Sequence, residues 1–228
     1  MFEHYRFVDL SHPLDPHVPT WNGSCGFQSE IKLDYDKGLR VQQVKMHAGV
    51  GTHLDAPAHF FEGGSDIAGI PLERLIIPAF CLDLSTVAHE TYQISRADLL
   101  AFEKRYGSIE KGSLFIGYTG WSVRWNKPDL YRNEDSAHRM RFPTFSREAA
   151  LLLLERDVAG IAIDTLSPDP EASDFPVHKL LLGSGKFIIE NIASANRLPP
   201  IGAYVICLPL RAVGLTECAI RAVGLLPL

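Results

Sequence analysis

The alternation of apolar and polar positions along the chain marks many short strands and few helices. A short strand around Phe7-Val8-Asp9-Leu10 leads into a loop stiffened by Pro13, Pro16 and Pro19. Prolines hold such a loop in shape without hydrogen bonds, which suits the wall of a site. Residues 29–35 and 39–48 read as two strands joined at Asp36-Lys37-Gly38, a hairpin signal. Residues 67–77 are a mixed apolar segment with Pro71 and Pro78 as breaks, and 79–84 a strand. Ser95-Arg96-Ala97-Asp98 opens a helix that ends before Gly107, with Asp98 in the place of the usual Glu or Gln of a capping box. Residues 113–121 read as a strongly apolar strand, and 122–145 as irregular. Ser146 caps a helix over 147–157 whose Leu151-Leu152-Leu153-Leu154 forms a buried stripe. Another buried strand covers 160–165. Asp174 reads as the N-cap of a short helix, with Pro176 in its first turn and Gly183 at its C-cap. Strands at 187–192, 204–208 and 219–225 follow. Strands outnumber helices and no linker interrupts them, so the expected class is mixed, strand-rich α/β in one domain over residues 1–228.

A chain of 228 residues buries a sizeable core without staples. Its 46% hydrophobic and 21% charged residues are those of an ordinary globular protein. A net charge of −5 with no basic tract argues against nucleic acid or an anionic membrane surface as a partner. The first residues lack the basic-then-apolar pattern of a signal peptide, and no apolar run is long enough to span a bilayer. Cys25, Cys81, Cys207 and Cys218 are scattered, with no Cys-x-x-Cys pair. They are expected to be free thiols in a reducing compartment, which makes the cytoplasm the expected location. No Gly-rich phosphate loop follows a strand and no Gly-x-Ser-x-Gly elbow occurs, so nucleotide binding and a serine triad are unsupported.

The chemistry concentrates in residues 47–60, which hold His47, His53, His59, Asp55, Gly49 and Gly51 with no Lys or Arg. In an extended strand side chains alternate, so His53 and Asp55 point the same way. An imidazole and a carboxylate aimed at one point are half of a site for zinc or another borderline divalent ion. Glu190 lies inside an apolar strand, where an unpaired carboxylate is costly, so it needs a cationic partner. His178 sits in the first turns of the short helix. The candidate ligands are therefore His53, Asp55, His178 and Glu190, and either carboxylate has oxygens enough to bridge two ions. A divalent ion held there lowers the pKa of its water so that hydroxide exists near neutral pH. His59, after the bend at Pro57, is placed to relay a proton to a leaving group. Hydrolysis of an amide or lactam carbonyl follows from that set. Trp21, on the proline-braced loop, serves either as an aromatic lid over a planar ligand or as packing. His4, His12, His17, His89 and His138 are expected at the surface, with His12 and His17, which flank the Trp21 loop, the strongest exceptions.

The run Gly51-Thr52-His53-Leu54-Asp55-Ala56-Pro57-Ala58-His59-Phe60 resembles the signature of the cyclase family, which includes bacterial kynurenine formamidase and isatin hydrolase. Asp9-Leu10-Ser11 with Pro13-Leu14, Pro19-Thr20-Trp21, Ile163-Asp164-Thr165, and His178 followed by Glu190 extend the likeness over nearly the whole chain. The resemblance implies a swivelling β/β/α fold and a site for one or two divalent ions, zinc or manganese. It implies hydrolysis of a C–N bond in a small, often aryl, amide or cyclic amide, as in arylformamidases, and a homodimer or homotetramer. It makes His53 and Asp55 ligands, with His178 and Glu190 completing the metal site, His59 the acid/base, and Trp21 part of the substrate pocket.

One position departs from the family pattern. A ligand histidine usually stands four residues before the histidine of Gly-Thr-His, and here that residue is Gly49. On an extended chain His47 lies roughly 20 Å from His53, at ~3.3 Å per residue. It reaches the site only if Gly49-Val50-Gly51 folds back, which glycine allows. The alternatives are fewer protein ligands, one ion in place of two, or no ion, as in a relative that binds a small molecule without turnover.

Overall fold

The computed structural model describes residues 2–228. In chain order its strands are β1 (Tyr5–Asp9), β2 (Phe27–Leu33), β3 (Val41–Met46), β4 (His53–Asp55), β5 (Ile76–Asp83), β6 (Gln93–Ile94), β7 (Leu114–Tyr118), β8 (Thr144–Phe145), β9 (Gly160–Ile163), β10 (Phe187–Glu190), β11 (Ala203–Pro209) and β12 (Glu217–Pro227). The α-helices are α1 (Arg96–Tyr106), α2 (Pro128–Arg132), α3 (Arg147–Glu155) and α4 (Pro176–Gly183). The strand-rich α/β class expected from the pattern is what forms. No helix among the described residues is long and apolar enough to cross a membrane.

Strand β12 closes the sheet. Its first residues pair with β4, and the rest with β11 and β1. The order β12-β11-β5-β7-β9-β10-β4 therefore returns to β12 as a seven-stranded barrel-like ring, with β1 added outside β12. Closure removes the sheet edges that would otherwise expose unpaired backbone groups. The quartet β5, β7, β9, β10 is parallel, and every other pairing in this sheet is antiparallel.

Strand alternation sorts the core into two layers. Leu54, Ala79, Cys81, Leu114, Ile116, Ala162, Ile189, Val205 and Cys207 fill the inside of the ring. Their neighbours Phe80, Phe115, Ile161, Ile163 and Ile188 point outward. There they meet Leu99 and Phe102 of α1, Leu152 and Leu153 of α3, and Val177, Leu181 and Leu182 of α4. A third cluster, with Val18, Val50, Trp121, Trp125, Tyr131, Met140, Phe142 and Leu166, packs the loops together.

Local signals formed where their partners are local. Ser95 Oγ accepts from the Asp98 amide at 3.2 Å, and Asp98 Oδ2 accepts from the Ser95 amide at 2.8 Å, closing the capping box of α1. Gly38 takes a left-handed φ of +89° at the end of the turn between β2 and β3. Four expectations need correction. Pro78 does not break the chain but lies inside β5, where that strand pairs only with β11 and gains β7 one residue later. The strand expected to reach Trp121 stops at Tyr118, because Gly120 turns left-handed. The stretch 122–145 contains α2, begun by Pro128 and ended by left-handed Asn133. Asp174 does not cap α4: the N-cap position is Phe175, in a left-handed conformation, and the capping carboxylate comes from Asp169.

Replacing Ser95 by Ala removes one half of the reciprocal cap. The expected loss is about 1 kcal/mol, read as a lower denaturant midpoint with an unchanged slope.

Candidate metal centre

Register places the charged side chains. In the antiparallel pair β4–β10, His53 lies opposite Glu190 and Asp55 opposite Ile188. In the pair β4–β12, Glu217 lies opposite Asp55 and Ala219 opposite His53. Opposed residues share a face. Because Leu54 and Ile189 fill the barrel, His53, Asp55, Glu190 and Glu217 all stand on its outer face. Helix α4 crosses that face and lowers His178 onto it.

The four expected ligands converge. His53 Nε2 is 3.3 Å from Glu190 Oε2 and 3.5 Å from Asp55 Oδ1. His178 Nε2 is 3.3 Å from Glu190 Oε1 and 3.8 Å from Asp55 Oδ2. All four residues are buried. Each imidazole is oriented from behind. His53 Nδ1 donates to the Gly51 carbonyl at 2.9 Å. His178 Nδ1 donates to Asp169 Oδ2 at 2.8 Å, and the same carboxylate accepts the Val177 and His178 amides. With Nδ1 committed, Nε2 of each ring is presented to the shared centre. Phe60 stacks on the His178 ring with centroids 4.7 Å apart, which fixes its plane.

Asp55 is the test of fit. It is 1% exposed, and neither carboxylate oxygen has a hydrogen-bond partner. Its imidazole neighbours stand beyond hydrogen-bond length. A buried carboxylate left so is expensive unless a cation faces it. Two three-residue clusters with metal-ligand spacing share it: Asp55 with His59 and His178, and Asp55 with His53 and Glu217. Two nitrogen donors and several carboxylates around an orphaned carboxylate fit a divalent ion.

The charges of the site depend on one another. Burial disfavours the His53 cation, but Asp55 and Glu190 outweigh burial and raise its pKa to about 10. Burial likewise opposes the His178 cation, and Asp169, Asp55 and Glu190 hold its pKa well above the ordinary value. Burial would raise the Asp55 pKa, but the His53 charge, with His59 and His178, brings it below the usual carboxylate range.

A cavity of about 380 Å³ opens over the cluster. His59, Trp21, Phe60, Phe175 and Leu166 line it, with Ser167 and Asn191 as polar groups. Trp21 is 38% exposed and meets Phe175 at 6.1 Å and Phe142 at 6.3 Å between ring centroids. Arg132 of α2 donates to the Thr20 and Trp21 carbonyls and pairs with Glu134, so the irregular stretch braces the Trp21 loop. His47 lines the cavity, but it is exposed and joins neither ligand cluster. His12 is not a surface residue: its ring stacks on Trp125 at 4.0 Å, and burial lowers its pKa to about 4.

Sequence reasoning missed Asp169 and Glu217. Asp169 has only a spacing of nine residues to His178 as a signal. Glu217 has no local signal, since its place depends on the pairing of β12 with β4.

The facing carboxylates favour the protonated form of both imidazoles in the ion-free site, and a metal requires their neutral form. Ion binding must therefore release protons, and affinity must rise with pH. Calorimetric titration in buffers of different ionisation enthalpy should show buffer-dependent heats, and heats equal in all buffers would contradict this protonation. Asp169→Ala should weaken ion binding by about 10- to 100-fold, measured by the same titration.

The profile of the Cyclase family matches residues 8–170. The kynurenine formamidase of Bacillus mycoides (strain KBAB4) is 25% identical over 222 residues, 96% of each chain. The isatin hydrolase of Roseibium aggregatum is 28% identical over 188 residues, 78% of this chain and 71% of that one. Isatin hydrolase A from Ralstonia solanacearum superposes with a TM-score of 0.90 at 26% identity, covering 98% of this chain and 93% of that one. An isatin hydrolase bound to the product analogue thioisatinate shares the fold, with a TM-score of 0.92 at 23% identity over 99% of this chain and 94% of that one. The family match spans well over half of the chain, and the protein belongs to the Cyclase family.

Proposed function

We propose that the protein is a metal-dependent hydrolase that opens the C–N bond of a small aryl amide or cyclic amide, in the manner of an arylformamidase. The observation that carries this reading is Asp55, a buried carboxylate with both oxygens unpartnered between two imidazoles whose Nδ1 atoms are already engaged. His53, Asp55, His178 and Glu190 would hold one or two ions, zinc or manganese. When bound, a divalent ion supplies Lewis-acid polarisation of a carbonyl and acidifies water. Relatives that carry the names kynurenine formamidase and isatin hydrolase support the amide and lactam substrate class.

The chain's own residues supply the rest. Trp21, Phe60 and Phe175 offer flat apolar surfaces to an aromatic ring over the cluster. His59 ends the short turn Pro57–His59 and lines the same cavity. Its Nδ1 lies 3.9 Å from Glu217 Oε2. His59 is the group placed to deliver a proton to the departing nitrogen, which leaves as an amine only when protonated. The buried thiols Cys81 and Cys207 have pKa values raised by burial, that of Cys207 to about 12, and take no part. Their free state supports a reducing, cytoplasmic setting. Exposed Ile31, Leu33, Val41 and Val44 on the β2–β3 hairpin support a homodimer or homotetramer.

The test is hydrolysis of N-formylated aryl amines and isatin-like lactams by ion-loaded protein, chelator-stripped protein and His59→Ala. Stripping should abolish turnover, and His59→Ala should reduce kcat by about 10²- to 10⁴-fold. Turnover that survives complete removal of the ion, or an unchanged kcat in His59→Ala, refutes the assignment.

A further inference from the structure

Gly49 is the position at which the chain departs from its family's signature, and the structure shows what fills the space. A Cβ built on Gly49 would meet Glu217 Oε2 at 2.4 Å and Glu217 Cδ at 2.8 Å. No side chain fits at position 49 while Glu217 stays where it is. Glu217 arrives there because β12 pairs with β4 and sets it opposite Asp55, on the ligand face. A carboxylate oxygen of Glu217 lies within 4.8 Å of donor atoms of both His53 and Asp55. Its side chain is 26% exposed, and it lines the cavity beside His59.

We propose that Glu217 is a metal ligand of this protein, occupying the volume that a side chain at position 49 would fill, and that it makes the donor set oxygen-rich. The inference rests on the metal-dependent reading given above. The set becomes His53, His178, Asp55, Glu190 and Glu217, two imidazoles and three carboxylates. An imidazole suits zinc, while a carboxylate suits harder ions such as manganese(II) and magnesium. Exchanging an imidazole for a carboxylate therefore shifts relative affinity toward manganese(II). Zinc remains the tighter ion in absolute terms on general grounds, so the quantity that reports the exchange is the ratio of the two affinities.

The experiment is titration of the chelator-stripped full chain with manganese(II) and with zinc(II), by calorimetry and, for manganese(II), by the loss of the free-ion electron paramagnetic resonance signal. The variants are Glu217→Gln, Gly49→Ala, their combination, and Gly49→His with Glu217→Ala, each checked by circular dichroism and thermal melting. Glu217→Gln keeps the shape of the side chain, and it should weaken manganese(II) binding at least about tenfold and zinc(II) binding less. Gly49→Ala should reproduce that loss by displacing Glu217, and it should add little in the Glu217→Gln background. Gly49→His with Glu217→Ala should shift the affinity ratio toward zinc(II). Unchanged manganese(II) affinity in a folded Glu217→Gln variant overturns the proposal while leaving the hydrolase reading intact. Binding of neither ion by the unmodified protein overturns both. Additive losses in the two single variants would show that Gly49 and Glu217 do not share one volume, and would also overturn it.

Discussion

The structure depends on one costly placement, a carboxylate at Asp55 sealed from solvent with no hydrogen bond to either oxygen. Uncompensated, such a group opposes folding strongly. Its neighbours are arranged around that cost. The carboxylates around His53 and His178 raise the pKa of both imidazoles, and each ring is pinned through Nδ1 by an acceptor belonging to the backbone or to Asp169. Protons and a divalent ion are alternative occupants of the same charge deficit, which couples metal affinity to pH without any moving part.

The barrel supplies what such a site needs, a strand hydrogen-bonded along both edges. Strand β4 is only three residues long, yet it is paired on both sides, to β10 and to β12. Each neighbour adds a carboxylate on the outer face, at Glu190 and at Glu217. A hydrogen-bond network lies behind that strand. Asn191 Nδ2 donates to the Gly51 carbonyl that orients His53, and the Tyr131 hydroxyl lies 2.9 Å from Asn191 Oδ1. Thr52 Oγ1 donates to the Asn191 carbonyl at 2.6 Å. The aromatic wall of the cavity is built differently, from Trp21, Phe60 and Phe175 on loops. His53, Asp55 and Glu190 are thus carried by hydrogen-bonded strands and His178 by α4, whereas the aromatic cavity wall lies on segments that tolerate change.

What could be read from the sequence follows the range of the interactions. His53 and Asp55 were legible as a pair because strand alternation is a local rule. Glu190 was legible because a carboxylate amid Phe187, Ile188 and Ile189 demands a partner. The capping box at Ser95 and Asp98 lies within one turn and formed as read. Asp174 was misread as a cap for the opposite reason: it is the nearest acidic residue, whereas Asp169 reaches α4 across a loop whose left-handed Phe175 no spacing rule reveals. His12 was legible as an exception among the surface histidines, but not its stacking on Trp125, which comes from a distant segment. The place of Glu217 depends on pairing between the first third of the chain and its last strand, and no window of sequence contains both.

The same range effect changes what Gly49 means. Read along the signature alone, glycine in place of an imidazole looks like loss of a ligand and hence of activity. In the folded chain the absence of a side chain at position 49 is what admits Glu217, since even a methyl group there would collide with its carboxylate. Glu217 is a third carboxylate on a face that already carries Asp55 and Glu190, and like charges in a partly buried cluster repel. Their coexistence is physically reasonable only with positive charge at the centre. Gly49 and Glu217 therefore share one volume across the barrel seam, and a divalent ion beside Asp55 would supply the positive charge that the three carboxylates face.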